Sequence, residues 1–309
     1  MSVHRLHRLA TLMILAALLV GCVAPTPAPQ PTAEPLILTD SRGQDVEIPR
    51  DVKRIVSLAP SNTEVLFALG LGDRVVGVTK FCDYPPEAQE IEKIGDMMPN
   101  LEKIVALNPD LVLGITGAEE AVTKLEELGI AVLILNPSDL EGIWADIRMV
   151  GKAAGAEEEA KELASELKGR VERVTERVAQ VEERPRVFCE LDATDPAKPW
   201  TAGPGSFIHT LIELAGGQNI AADAPSPWVQ FSAEEIIASD PQLIILADAN
   251  YGMTAESVAQ RPGWEVIAAV EERNIHPIDD DLITLPSPRI VDGLEELARM
   301  IHPELFEEG

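Results

Sequence analysis

The sequence predicts an α/β protein of two similar lobes, each with a central, mostly parallel sheet, joined by one long helix with a ligand cleft between them. Three observations carry this expectation. Short apolar runs alternate with amphipathic helical segments in both halves of the chain; the stretch 157–182 has helical charge spacing and few breakers; and part of the first half recurs in the second. The run from Leu101 to Leu113 aligns without a gap with the run from Ala233 to Ile245, repeating Glu, Ile, Ala, Pro and Leu at the same places. A weaker match upstream sets Thr63-Glu64-Val65 against Ile212-Glu213-Leu214, each a glutamate on a short apolar helix that soon reaches glycine.

The first lobe is expected over 36–138. Arg54 to Ala59 reads as a short buried strand, Asn62 to Leu69 as a helix opened by Ser61 and closed by Gly70, and Arg74 to Thr79 as a second strand. Leu101 to Leu107 is helical until Asn108-Pro109 stops it, and Leu111 to Ile115 is again a strand. Ala121 to Leu128 is helical up to Gly129, and Ile130 to Leu135 closes the series. A helical region covers 139–185, with breaks expected near Gly151 and Gly155, and its later part, ending at Pro185, reads as the long, largely exposed inter-lobe helix. The second lobe, 186–309, repeats the alternation: strands at Arg186–Leu191, Leu243–Ala247 and Asn274–Ile278, and helices at Phe207–Ala215, Ala233–Ser239 and from about Arg289 to Ile301.

The N-terminus carries an address. Arg5 and Arg8 precede an apolar run from Leu9 to Val20, too short to span a bilayer comfortably and laid out as an export signal. Leu19-Val20-Gly21-Cys22 follows and resembles a bacterial lipobox, which makes 1–21 a lipoprotein signal peptide and Cys22 the lipid-bearing first residue of the mature chain. The segment 22–35, with proline at 25, 27, 29, 31 and 35, stays extended and reads as a tether. Cys82 and Cys189 lie in or just after apolar strand-like runs and are expected as buried, unpaired thiols.

Composition narrows the function. With 52 acidic against 25 basic residues the net charge is −27, a field that repels phosphate backbones, so nucleic acid is a poor partner. The histidines beyond the signal, His209, His276 and His302, lack metal-site spacing, and neither a phosphate loop nor a nucleophile elbow is present.

Arg54-Ile55-Val56-Ser57-Leu58-Ala59-Pro60-Ser61-Asn62-Thr63-Glu64, Asp83-Tyr84-Pro85-Pro86, Pro109-Asp110-Leu111-Val112, Gly216-Gly217-Gln218-Asn219-Ile220 and Ser287-Pro288-Arg289 resemble the periplasmic binding proteins for cobalamin, heme and ferric siderophores. Asp83-Tyr84-Pro85-Pro86 and Pro227-Trp228-Val229-Gln230 are most similar to the cobalamin branch. The resemblance implies an extracytoplasmic, lipid-anchored, monomeric receptor that hands a corrinoid to an ABC permease dimer with its ATPase subunits, and it implies no cofactor. It also implies that Glu64 and Glu213 are exposed carboxylates that pair with permease arginines, fixing one docking pose. The alternative cargo is heme or a ferric siderophore; the remote alternative is a lipoprotein enzyme on a related bilobal fold.

Candidate cleft residues follow from scarcity. Aromatics make up only 4% of the chain, and Tyr84, Trp200, Trp228, Phe231 and Tyr251 all fall near strand ends or in Pro/Gly-rich connections, where such lobes place ligand contacts. Aromatic faces suit a macrocycle. Met97 and Met98 are further apolar candidates, Asp281 lies where the cobalamin branch places a polar contact, and Arg289 is a candidate that a helix start also explains. The loops offer Lys80, Lys198 and Arg289 beside Asp83, Asp195, Asp279, Asp280 and Asp281, a balance that suits a neutral or cationic chelate better than an anionic one.

Overall fold

The structure, a computed structural model, describes residues 34–96 and 98–306, and 35–306 lie in one compact unit. Cys22, the signal peptide and most of the tether therefore lie outside the described residues, as does Met97. It opens with a hairpin that the sequence reading missed: β1 (Leu36–Thr39) pairs antiparallel with β2 (Asp45–Ile48) around a turn closed by Gly43 at φ 74°. The alternation of exposed Asp45 and Glu47 with buried Val46 and Ile48 was the available signal.

The first lobe follows as β3 (Ile55–Ser57), α1 (Pro60–Ala68), β4 (Val75–Val78), α2 (Leu101–Ala106), β5 (Leu111–Gly114), α3 (Glu119–Glu127) and β6 (Val132–Ile134). Its four strands are all parallel, in the order β4-β3-β5-β6. One cap differs from expectation. Helix α1 begins at Pro60 with Ala59 as N-cap, so Ser61 sits inside the first turn and not before it; proline's fixed φ suits that first position.

Two helices lead to the second lobe. α4 (Leu140–Ala154) ends at Gly155, which takes the left-handed conformation at φ 69°, and α5 (Glu157–Val178) then runs back along it. Gly151 is not a break: a Cβ there would collide with Ala160, so the glycine permits close approach of the two helices. Nor is α5 exposed all round, because Ala160, Ala164, Leu167, Val174 and Val178 form a buried stripe. It stops before Pro185.

The second lobe is built from β7 (Arg186–Glu190), β8 (Trp200–Ala202), α6 (Phe207–Leu214), β9 (Gln218–Asn219), β10 (Trp228–Gln230), α7 (Ala233–Ser239), β11 (Leu243–Leu246), β12 (Ile275–Pro277) and α8 (Ile290–Ile301). Its parallel sheet runs β12-β11-β7-β9, and β8 with β10 forms a separate antiparallel ribbon.

The repeat holds down to single residues. Ile55 faces Leu111 in the first sheet as Val187 faces Leu243 in the second, at the same sequence offset that separates Leu101 from Ala233. Asn108 and Asp240, equivalent by that offset, both leave their helices at φ 46°. Arg54 and Arg186, also equivalent, each donate from Nε to a carbonyl at the end of the repeated helix, α2 or α7: Leu107 at 2.8 Å and Ser239 at 3.0 Å. Those carbonyls have no partner within the helix, so the arginine satisfies the helix end.

Strand alternation divides the core. Ile55, Leu111, Leu113, Val187, Cys189, Leu243 and Ile245 turn into one continuous core shared with α4, α5 and α8, whereas Val56 and Val112, and Phe188 and Ile244, turn to separate outer clusters. Arg170 of α5 reinforces the junction by donating to Asp292 at 2.6 Å and to Glu295 at 2.9 Å on α8. A core that runs through both lobes resists hinge motion, because opening would expose its apolar surface.

Candidate functional site

In a parallel α/β sheet the loops after the strands gather at the carboxyl edge, and ligands bind there where strand order reverses. Here residues at the carboxyl edge of the first sheet meet the segment 285–289 of the second lobe. Glu64, early in α1, is only 4% exposed and accepts hydrogen bonds from Ser287 Oγ at 2.5 Å, Arg289 Nη2 at 2.8 Å and Arg289 Nε at 3.1 Å. The Arg289 guanidinium also lies 3.9 Å from the centroid of the Tyr84 ring. Loops of the two lobes are thereby tied at the back of the cleft. This overturns the expected exposure of Glu64: its carboxylate is consumed by a buried bidentate pair with Arg289.

The apolar surface at the carboxyl edges falls into two groups. Phe81, Tyr84 and Met98 are exposed on the loops between β4 and α2, and Trp200, Trp228 and Tyr251 are exposed on the second lobe. In the ribbon, Trp228 pairs with Ala202 and Gln230 with Trp200, a register that places both indoles on one face as a diagonal pair. Thr201 points the other way and is held by Cys189 O at 2.7 Å. Phe231 does not join this group: it is half-buried and packs against the outer core of the second lobe. Phe81 was missed in the sequence, although it stands in the same post-strand loop as Tyr84 in a chain poor in aromatics.

Acidic residues rim the second lobe. Asn250 Nδ2 donates to Asp280 at 2.9 Å, and the Tyr251 hydroxyl reaches the same carboxylate at 3.4 Å. Asp281 is half-buried, and burial, reinforced by Asp280, Asp279 and Asp83, pushes its carboxyl up to about 6. The influence of Asp83 comes across the cleft. Lys80 is paired with Asp96 at 3.0 Å and Arg289 with Glu64, leaving Lys198 as the one of the three basic candidates without an ion pair among the described residues.

Two cavities open at the switch points of the sheets. One of about 190 Å³ lies beyond β3, β5 and β6 and is lined by Ser61, Asn62, Thr116 and Asp146 with Pro286 of the second lobe. The other, of about 390 Å³, lies beyond β7 and β11 between Leu191–Thr194 and Asp248–Met253. Each contains a buried carboxylate with one oxygen lacking a hydrogen-bond partner, Asp146 Oδ2 and Asp248 Oδ1. Burial pushes Asp146 up to about 7 and Asp248 to about 6, the latter with help from the neighbouring Glu190 charge. A cavity of about 660 Å³ along α1, reaching Tyr84 and Arg289, lies largely beside that helix and not at the strand ends.

The remaining candidates resolve individually. Cys82 and Cys189 are buried and unpaired, and burial raises the Cys189 thiol far above its usual range. His209 contacts Asn219 at 3.2 Å, His276 contacts Asn274 at 2.9 Å and His302 contacts Gly216 O at 3.1 Å, so each ring has its own partner. Glu213 is half-buried, paired with Arg184 at 3.0 Å and bonded by Asn219 N at 3.3 Å.

Glu102 and Glu234 are a second pair of carboxylates, one per lobe. They are equivalent in the repeat, both are exposed, and both stand in the first turn of helices capped alike: Asn100 accepts from Lys103 N, and Ser232 from Glu235 N. Because α2 and α7 each run back into a parallel strand, β5 and β11, those first turns lie toward the carboxyl edges.

The family model described as periplasmic binding protein matches residues 55–282. An uncharacterized ABC transporter substrate-binding lipoprotein of Bacillus subtilis, YvrC, is 37% identical over 97% of this chain and 98% of its own. The vitamin B12-binding protein of Salmonella typhimurium is 34% identical over 80% of this chain and 90% of its own. Among solved structures, the periplasmic heme-binding protein RhuT of Roseiflexus in its apo form has a TM-score of 0.73 at 29% identity, covering 82% of this chain and 99% of that one. The chain belongs to the periplasmic binding protein family.

Proposed function

We propose that this member of the periplasmic binding protein family is the extracytoplasmic, substrate-binding component of an ABC importer, and that its cargo is cobalamin or a related corrinoid. The observation that carries the cargo is the pair of exposed apolar groups, Phe81, Tyr84 and Met98 on one lobe and Trp200, Trp228 and Tyr251 on the other. Isolated exposed aromatics are unremarkable, but six such side chains on the edges that flank one cleft form a surface suited to a large, flat guest. The acidic rim favours a guest without negative charge. Likeness to the B12-binding relative supports the same choice, and Cys22 is the proposed lipid attachment, in keeping with the lipoprotein relative. Likeness to the heme-binding structure favours heme as the second reading, but heme carries two carboxylates that the acidic rim opposes.

Docking is assigned to Glu102 and Glu234. Two exposed carboxylates on a rigid body set orientation, because both ion pairs with permease cations form together in one pose.

Calorimetric titration of the purified soluble body with cyanocobalamin, hemin and a ferric hydroxamate tests the cargo. Cyanocobalamin is expected to bind with sub-micromolar Kd and at least about 100-fold more tightly than hemin, a gap of about 2.7 kcal/mol. Preference for hemin or the hydroxamate would reject the corrinoid assignment.

A further inference from the structure

The cavity of about 390 Å³ at the switch point of the second sheet has a composition that the importer role does not by itself explain. Its lining is Leu191, Asp192, Ala193, Thr194, Asp248, Tyr251 and Met253, in which both charged groups are carboxylates. Asp248 forms the deep part. It is only 4% exposed, its Oδ2 accepts from Ala193 N at 3.2 Å, and its Oδ1 has no partner. Behind it lies Glu190, fully buried and held by both ends of the Arg261 guanidinium, with Nη2 to Oε1 at 2.7 Å. That arginine pairs with Glu190 and donates to Met253 Sδ at 3.4 Å, and no hydrogen bond from it reaches Asp248 Oδ1. Asp192 forms the mouth. It is exposed, its Oδ1 accepts from Thr194 N and Oγ1 at 2.7 and 2.6 Å, and those bonds hold its carboxyl below the usual range, so it is ionised at neutral pH.

Apolar side chains accompany this acceptor column. The Asp192 carbonyl accepts from Trp200 N at 2.8 Å, which fixes the indole-bearing ribbon next to Asp192, and Tyr251 is part of the lining. A buried acceptor without a donor is strongly unfavourable, and native structures keep such groups where a ligand or water supplies the donor. The column accepts hydrogen bonds and repels negative charge.

We propose that this cavity is a subsite for a neutral, hydrogen-bond-donating arm of the cargo, a primary carboxamide of the kind that fringes a corrin ring, and that it rejects a carboxylate-bearing arm. The inference rests on the corrinoid reading and deepens it: corrinoid amides donate N–H, whereas the propionates of heme cannot when ionised. The cavity would therefore be the place where the two ligand classes are told apart.

The test uses cyanocobalamin and its three isomers in which one peripheral propionamide is hydrolysed to the acid, titrated by calorimetry at pH 7.5 into the parent and into Asp192→Asn/Asp248→Asn. Asparagine preserves shape, removes both charges and adds donors; near-UV circular dichroism and Tm confirm the fold. For the parent, at least one acid isomer is expected to bind about 10-fold or more weakly than cyanocobalamin, the effect of one unfavourable charged contact. In the double variant that ratio should fall to within about 3-fold. Equal affinity of the parent for all four compounds, or an unchanged ratio in the variant, overturns the subsite while leaving the corrinoid cargo standing. Absence of cyanocobalamin binding to the parent overturns the cargo assignment, and the subsite with it.

Discussion

Reversal of both Glu102 and Glu234 to arginine is expected to reduce cargo uptake in cells at least about 100-fold while leaving the Kd for cargo unchanged. Both side chains are exposed at the carboxyl edges, one per lobe, and neither contributes to the core or to the cleft walls. Charge reversal replaces two attractions by two repulsions, and like charges at an interface oppose binding by several kcal/mol. Each single reversal should give an intermediate loss, because one ion pair still forms but orientation is no longer fixed. Glu64→Arg provides the contrast. It places a cation beside Arg289 in a site that is 4% exposed, so it should lower Tm and impair binding and uptake together. Transport assays with radiolabelled cargo, paired with calorimetry on the same variants, separate the two outcomes. Normal uptake by the double reversal would remove Glu102 and Glu234 from the docking surface.

Arg261→Met is expected to destabilise the fold by about 3–5 kcal/mol, the range for deleting one partner of a buried ion pair. Glu190 has no exposed surface, and its neighbour Asp248 is a second buried carboxylate, so loss of the guanidinium leaves two acids in an apolar setting. Arg261 also lies 4.6 Å from the Trp264 ring centroid, and methionine keeps part of that packing while removing the charge. The double variant Glu190→Leu/Arg261→Met should recover most of the stability, because no unpaired charge remains from the pair. Urea denaturation of the single and double variants measures this directly. Equal destabilisation in both would mean that packing and not charge burial dominates.

Much of the architecture was legible because local signals agreed with one another. The gapless repeat gave both sheets, and α7 matched its expected bounds because the Ser232 cap and the stop at Asp240 are both written locally. The hairpin β1–β2 and the ribbon β8–β10 were not recovered, since both are two-stranded antiparallel sheets outside the strand–helix alternation that marked the other strands.

The site was legible by residue type and less so by role. Tyr84, Met98 and Tyr251 proved exposed in post-strand connections, and Trp200 and Trp228 on one face of a two-stranded ribbon. The burial of Glu64 was not legible because it comes from Arg289, across 225 positions of sequence, and no local pattern reports such a pair. Phe231 faced inward for a comparable reason: its neighbour Ser232 starts α7, and the helix draws the ring onto the outer core. Asp146 and Asp248 carried no sequence signal at all. Only packing shows that one oxygen of each is left without a partner.

The most direct measurement is a crystal structure of the soluble body grown with cyanocobalamin. The corrin is expected between the lobes, with Trp200, Trp228 and Tyr251 on one side, Phe81, Tyr84 and Met98 on the other, and backbone shifts confined to about 1 Å by the shared core. Density for the corrinoid along the outer groove beside α1, or only at lattice contacts with the cleft empty, would contradict the account.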